Sequence, residues 1–523
     1  MAQRPVQIGG AWAGLAVLAL VVVLCLGSFA LVLGRAGGLG MLTAADWAAA
    51  RFTVLQAALS TLLSVALAVP VARALARRDF RGKRWLTTAL GAPFILPVIV
   101  AVLGLLALFG RAGLISRLAM LVGLPPIHIY GLQGVLLAHL FLNLPLAVRM
   151  VLNGWAAIPA ERFRLAAALD LGPRDVARLI ERPMLRATLP GAALAIFLVC
   201  LASFTVVLVM GGGPRATSLE LAVYQAFRLE FDLAHAASLA ALQALLCLAA
   251  TLGGLALVGP AGFGAGRGLT AHLPPASPAP LARLADAALL VLLGAFVALP
   301  VVMAILSGLH GLTLLGPAVV RPLVLSLAVA LAATALATGA ALAIGLAIPV
   351  LGGRGGRLTE MAVMLAMATS PLVLGTGLFL AIRPLADPTT LALPITALAN
   401  GLMALPFCLR ILQPDIAALT ADYGRLAASL DLHGLARLRH LTLPRLRRPL
   451  AFAAGLAAAL SVGDLGVIAL FSDPAQATLP MLLYQRMGQY RMDEAYGIAI
   501  LLIGLSLGLF WAFDRMGHAD ADA

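Results

Sequence analysis

The chain has 523 residues, of which 62% are hydrophobic and 11% charged, with a formal net charge of +14. A soluble domain carries about 25% charged residues, so with a mean hydropathy of +1.03 this composition excludes a soluble globular enzyme and points to a polytopic helical membrane protein. The positive charge is almost wholly arginine, which suits the loops of a membrane protein under the positive-inside rule better than a nucleic-acid surface. Cys25, Cys200, Cys247 and Cys408 sit in apolar runs with no metal-ligand spacing and no disulfide framework.

Trp12 to Leu33 is an apolar run behind a basic N-terminus. It exceeds the roughly 7–15 residues of a signal-peptide core, so it reads as a retained anchor. A second span is expected over 53–72. The loop after it holds Arg73, Arg77, Arg78, Arg81, Lys83 and Arg84, and belongs in the cytoplasm. Spans over 86–109 and 130–152 lead to a polar unit at 158–186, and spans over 188–210 and 234–258 follow it. Gly259 to Arg283 is rich in Gly and Pro and has no helical period, as a linker would. Further spans are expected over 288–307, 322–350, 361–382, 392–413, 449–471 and 495–513. From a cytoplasmic N-terminus, every Arg-rich loop, the linker and the C-terminus fall inside. The expectation is an all-α polytopic protein of about 12 transmembrane helices in two homologous six-span halves, 1–258 and 284–523, joined by a cytoplasmic linker at 259–283.

The polar unit recurs at 419–447. Arg164-Leu165-Ala166-Ala167 returns as Arg425-Leu426-Ala427-Ala428, Asp170 as Asp431 and Pro183 as Pro444, all at one offset (425 − 164). Pro145 and Arg149 return as Pro406 and Arg410. Alanine-rich segments at 160–170 and 421–431 predict short helices. Gly172-Pro173 predicts a break and a second helix, with Val176, Leu179 and Ile180 on one face and Pro183 as its end. Two matched basic units suggest a docking surface presented twice. The longer outward loops, 211–232 and 472–494, also correspond, through Ala216-Thr217 with Ala477-Thr478 and Tyr224-Gln225 with Tyr484-Gln485. They are expected to meet a partner outside.

Both polar units resemble the cytoplasmic coupling loop of permease subunits of binding-protein-dependent ABC importers. That loop carries a Glu-Ala-Ala stretch, then a Gly, then a Leu-Pro. Here Arg164 and Arg425 hold the Glu position, and Asp170 and Asp431 hold the Gly position. The Leu before the proline is kept at Leu443 and replaced by Arg182 in the first copy. The docking role carries over, while the detailed contacts do not. The resemblance implies an ATPase-coupling surface of Arg164, Leu165, Ala166, Ala167, Asp170 and Pro183 in the first unit. In the second it implies Arg425, Leu426, Ala427, Ala428, Asp431 and Pro444. The strings Ala202-Ser203-Phe204 through GGGPRATSLELAVYQA and GDLGVIALFSDPAQATLPMLLYQRMGQYR look like those of thiamine ABC transporter permeases. The resemblance covers nearly the whole chain. It implies a bacterial inner-membrane importer served by an extracellular or periplasmic thiamine-binding protein and two copies of a cytoplasmic ABC ATPase.

The chain has no GxxxxGK[ST] loop, so ATP and Mg are expected on the partner ATPase, and no cofactor, metal or catalytic site is expected here. Asp464, in SVGDLGVIAL, is a carboxylate at membrane depth between Gly463 and Gly466, which permit a helix break. Such a charge costs about 2.5–3.5 kcal/mol on insertion scales. It either faces a cationic substrate such as the thiazolium of thiamine, or satisfies freed backbone donors or an arginine. Its repeat mate is Ser203, so Asp464 and Ser203 are the substrate-path candidates. His139, Asn143, Gln243 and Asn400 more simply hydrogen-bond between helices. Ferric-iron and polyamine importers share the architecture. A secondary transporter would also show repeats, with more buried ionisable groups.

Overall fold

The computed structural model describes residues 11–35, 42–257, 280–368, 370–471 and 476–518. Among them the chain is helical with no strand. The first half opens with α1 (Trp12–Arg35), α2 (Ala44–Arg77), α3 (Lys83–Ala89), α4 (Ala92–Ile95), α5 (Val98–Phe109), α6 (Leu114–Leu121) and α7 (Leu132–Ala156). The first polar unit supplies α8 (Ala160–Ala168) and α9 (Pro173–Val176). Then come α10 (Arg182–Leu201), α11 (Thr205–Met210), α12 (Leu219–Arg228) and α13 (Leu233–Leu257). The second half is α14 (Pro280–Thr313), α15 (Val320–Ala368), α16 (Pro371–Ile382), α17 (Ala392–Ser429), α18 (Gly434–Arg437), α19 (Leu443–Val462), α20 (Gly466–Phe471), α21 (Leu479–Gly488) and α22 (Met492–His518). Eleven helices among the described residues are long and apolar enough to cross a membrane.

Four expected spans are broken, those near 188–210 and 449–471 at 202–204 and 463–465. The stretch near 86–109 divides into α3, α4 and α5, because Pro97 ends one helical run and N-caps the next. The stretch near 361–382 divides before Pro371, where Ser370 caps α16 by accepting from the Val373 amide at 3.3 Å. Helix α16, at 12 residues, is only about 18 Å long. The continuous trace of α15 is itself two helices, parted at Gly352 (φ 55°) and Gly353 (φ 38°). The linker at 259–283 lies mostly outside the described residues, but its last residues, from Pro280, already belong to α14.

Helix starts follow local chemistry. Thr43 and Asp46 close a capping box at α2, the Asp46 carboxylate accepting from the Thr43 amide at 2.7 Å. The two halves repeat most of their elements. Val98 and Pro371 open matching helices (371 − 98), and the π-helical segments Ala177–Glu181 and Leu438–Thr442 match at a shorter offset (438 − 177). Helix α6 has no counterpart in the second half, and it accounts for the change of register.

The first helix of each half packs on the other half. A Cβ on Gly377 of α16 would come 2.5 Å from the Ser28 Cβ of α1. A Cβ on Gly104 of α5 would come 2.3 Å from the Pro300 carbonyl of α14. Gly104 and Gly377 are repeat mates (377 − 104). The absence of a side chain at both lets the backbones touch, as small residues do between membrane helices. Ser506 of α22 adds a hydrogen bond of 2.5 Å to the Ile95 carbonyl of α4. Gly104→Leu and Gly377→Leu should each cost about 1–3 kcal/mol by overpacking, seen as a lowered unfolding midpoint of the detergent-purified protein. Gly424→Leu, at a site with nothing near a new Cβ, should leave the midpoint unchanged.

Candidate coupling surface and passage

In the first polar unit, α8 ends in a Schellman turn. The Leu171 amide donates to the Ala166 carbonyl at 2.9 Å, and Asp170 takes φ 51°. The second unit repeats it, with Leu432 donating to Ala427 at 2.9 Å and Asp431 again at φ 51°. Left-handed backbone is what glycine usually supplies at this position, and Asp is among the few residues that tolerate it. The two aspartates at the family's Gly position thus preserve the turn. Pro173 starts α9 at its first position, as expected.

Pro183 and Pro444 do not end their helices. Each unit widens into its π-helical segment and runs on into α10 or α19, with the proline in the first turn. The wider turn accommodates a residue with no N–H to donate. It also rotates the faces: Val176 and Ile180 are buried while Leu179 is 60% exposed. Nor is 421–431 a separate helix, because α17 runs unbroken to Ser429. The first unit is divided there by Pro159, which N-caps α8.

The units present similar surfaces. Ala166 and Ala427 are buried against the bundle. Arg164, Ala167 and Asp170, and likewise Arg425, Ala428 and Asp431, are exposed. Leu165 and Leu426 stand out at 61% and 51% exposure, with Leu169 and Leu430 beside them. Glu181, passed over in the sequence, is buried and paired with Arg73 (3.2 Å) and Arg77 of α2. An acid in an otherwise apolar and basic stretch, Ala177 to Arg182, was the available signal. Thr442 occupies its repeat position (442 − 181), so only the first unit is clamped to α2 in this way.

Both units lie at one end of the bundle. Arg78, just past α2, bonds Asp286 near the start of α14 at 2.7 Å. The far end of α14 meets the start of α22, where a Cβ on Gly311 would fall 1.9 Å from the Asp493 carbonyl. The far end of α22 returns to the second unit, with Gly517 packed on Arg448 and Ala451. Two antiparallel helices therefore carry the first unit's end of the bundle round to the second.

Between the halves, α10 breaks at 202–204 and α19 at 463–465, at matched positions. Ser203 and Asp464 occupy these breaks. His139 lies between Ser60 (3.0 Å) and Ser203 (2.7 Å). At the corresponding place in the second half, Asn400 donates to the Ser461 hydroxyl at 3.0 Å. Gln243 donates to the Leu201 carbonyl (2.9 Å) and Asn143 to the Cys200 sulfur (3.2 Å). These four polar residues tie helices together. Asp464 accepts from the Gly466 amide at 3.2 Å through Oδ1, while Oδ2 has no hydrogen-bond partner. Half of the carboxylate therefore caps a helix and half is uncommitted.

The segments expected to face outward are not open loops where described. Helices α12 and α21 are largely buried, because LELAVYQA and LPMLLYQ are themselves apolar. The Leu219 amide donates to Thr53 at 2.9 Å and the Leu479 amide to Ser326 at 2.8 Å, one matched bond in each half. Residues 472–475 lie outside the described residues. Among the exposed residues at this end is a pair of left-handed aromatics, Phe231 (φ 58°, 77% exposed) and Tyr490 (φ 60°, 93% exposed). Glu220 of α12, outside the candidate spans, is fully buried, and neither of its oxygens has a partner of good geometry. Burial pushes its carboxyl up to about 7, against the opposing influence of the nearby Ser370 and Gln243.

No family model matches the chain. Individual relatives do. The thiamine transport system permease protein ThiP of Brucella abortus (strain 2308) is 39% identical over 537 residues, covering 100% of this chain and 97% of the relative. The ThiP protein of Salmonella typhimurium is 38% identical over 486 residues, 91% of this chain and 90% of its own. The chain belongs to the ThiP family of transport permeases. The molybdenum transport system permease protein ModB of Azotobacter vinelandii is 32% identical over 178 residues, 34% of this chain and 78% of its own. The ThiP relationship and the eleven apolar helices together make the chain a multi-pass membrane permease.

Asp170→Val should cost about 1–2 kcal/mol, because a β-branched residue resists φ 51°. Asp170→Gly should keep or raise stability; both are read from unfolding midpoints. Glu220 should make stability fall with pH. A carboxyl raised from 4.5 to about 7 on folding favours the folded state below about 4.5, and that contribution is lost as pH rises through about 7. The midpoint should therefore drop between pH 5 and 8, and Glu220→Gln should flatten the drop.

Proposed function

We propose that this chain is the permease of an ATP-driven importer that carries thiamine, and also its phosphate esters, across the bacterial inner membrane. The observation carrying this reading is the full-length likeness to ThiP permeases, 39% identical across the whole chain. In this reading residues 1–258 and 284–523 are the two permease halves, joined by a cytoplasmic linker at 259–283. Both termini are cytoplasmic. Two copies of an ABC ATPase dock on the paired units, on the exposed faces around Leu165 and Leu169 and around Leu426 and Leu430, with Arg164 and Arg425 alongside. The matched surfaces and their shared end of the bundle support this docking. ATP and Mg belong to those partners, since this sequence has no phosphate-binding GxxxxGK[ST] loop.

A binding protein delivers the cargo at the opposite end, where Phe231 and Tyr490 project. Cargo passes between the halves, with Asp464 as counter-charge to the thiazolium and Ser203 across from it. Closure of the ATPases on ATP pushes both units and shifts the halves from inward-open to outward-open. The push travels through continuous helix, because each unit runs directly into α10 or α19.

The test is uptake of labelled thiamine by cells lacking their own importer, with this chain expressed with and without the ATPase and binding protein. Uptake is expected only when all three are present, and Asp464→Asn should lower it at least tenfold. Uptake that persists without the ATPase overturns the mechanism. Iron uptake in place of thiamine uptake overturns the cargo.

A further inference from the structure

Helix α12 carries a charged group that the passage through Ser203 and Asp464 does not use. Neither oxygen of the buried Glu220 has a hydrogen bond of good geometry, although Ser370 and Gln243 lie near, and Oε1 of Gln243 has none either, its Nε2 being committed to Leu201. Two buried acceptors without a donor are costly. A proton or an incoming cation would supply what Ser370 and Gln243 leave unmet. One turn on, at i + 4, Tyr224 shares the face of Glu220. Its ring lies 5.3 Å from that of Phe204. Phe204 in turn borders Asp464: a Cβ on Gly466 would lie 3.8 Å from Phe204 Cδ1 and 3.6 Å from Asp464 Oδ1. Tyr484, the repeat mate of Tyr224 (484 − 224), stands within electrostatic range of it from the second half. Pro480 holds the repeat position of Glu220 (480 − 220), so this negative group belongs to the first half alone, as Asp464 belongs to the second.

We propose that Glu220, Tyr224 and Tyr484 form an outer station for a flat aromatic cation, which hands its cargo past Phe204 to Asp464. The carboxylate supplies charge, and the aromatic faces attract a cation and stack on a planar ring. When the halves are closed, a proton on Glu220 stands in for the cargo. The inference deepens the thiamine reading and rests on it for the identity of the cargo.

The experiment uses the full chain assembled with its ATPase in lipid nanodiscs, held with a non-hydrolysable ATP analogue. Equilibrium binding is measured for labelled thiamine and for benzyltrimethylammonium, a simple aromatic cation. Glu220→Gln should weaken both at least tenfold, with an unfolding midpoint at or above wild type showing that the fold is intact. Tyr224→Phe should stay within twofold of wild type, and Tyr224→Leu should weaken binding at least fivefold. Binding to Glu220→Gln within twofold of wild type overturns the station; if Asp464→Asn still weakens thiamine binding, the cargo reading survives. Glu220-dependent binding of benzyltrimethylammonium without thiamine binding keeps the station and overturns the cargo. Binding of neither probe by the wild type overturns both.

Discussion

Inside a membrane every backbone polar group must find a partner within the protein, because lipid offers none. This chain interrupts its helices at 202–204, at 463–465 and ahead of α5 and α16, and each interruption frees backbone groups. Side chains from neighbouring helices satisfy a number of them. Gln56 and Gln243 donate to the Cys200 and Leu201 carbonyls at the end of α10, and Ser506 donates to Ile95. Thr53 and Ser326 receive the first amides of α12 and α21. The breaks are tolerable because the two halves bury them against each other. The same geometry brings the matched breaks that hold Ser203 and Asp464 close together, with Phe204 near Gly466.

Two kinds of join hold the halves in this arrangement. One is close backbone contact at Gly104 and Gly377, each receiving the first helix of the other half. The other is specific to the first half: Glu181 clamps its polar unit to α2, and Arg78 ties the end of α2 to Asp286. The first unit is thereby linked to two helices by charge, and the second has Thr442 in place of Glu181. The two units are therefore anchored differently. That asymmetry sits alongside another, the placement of Glu220 in the first half and Asp464 in the second.

Much of the fold was legible in the chain. Long apolar runs set the spans, since a membrane helix needs a minimum apolar length. The repeat set the twofold plan, while the αL turn at Asp170 and Asp431 emerged only from the structure, the family's glycine there being its available signal. Less legible were features set by contact rather than by composition. Pro183 looked like a helix end, but its place at the start of α10 depends on the π-widened turn before it. The 211–232 segment looked like an outward loop, yet α12 is buried because α13 and α2 of its own half, with α16 and α20 of the other, pack against it.

What the sequence by itself determined is the class of molecule, its duplication, its paired basic units and the solitary carboxylate of Asp464. These follow from composition and spacing, which are properties of the chain alone. Only the tertiary structure decided which helices exchange between halves, that both units share one end, and that Glu220 is buried without a hydrogen bond of good geometry. Burial and pairing depend on what another part of the chain brings within a few ångströms, and no local pattern encodes that.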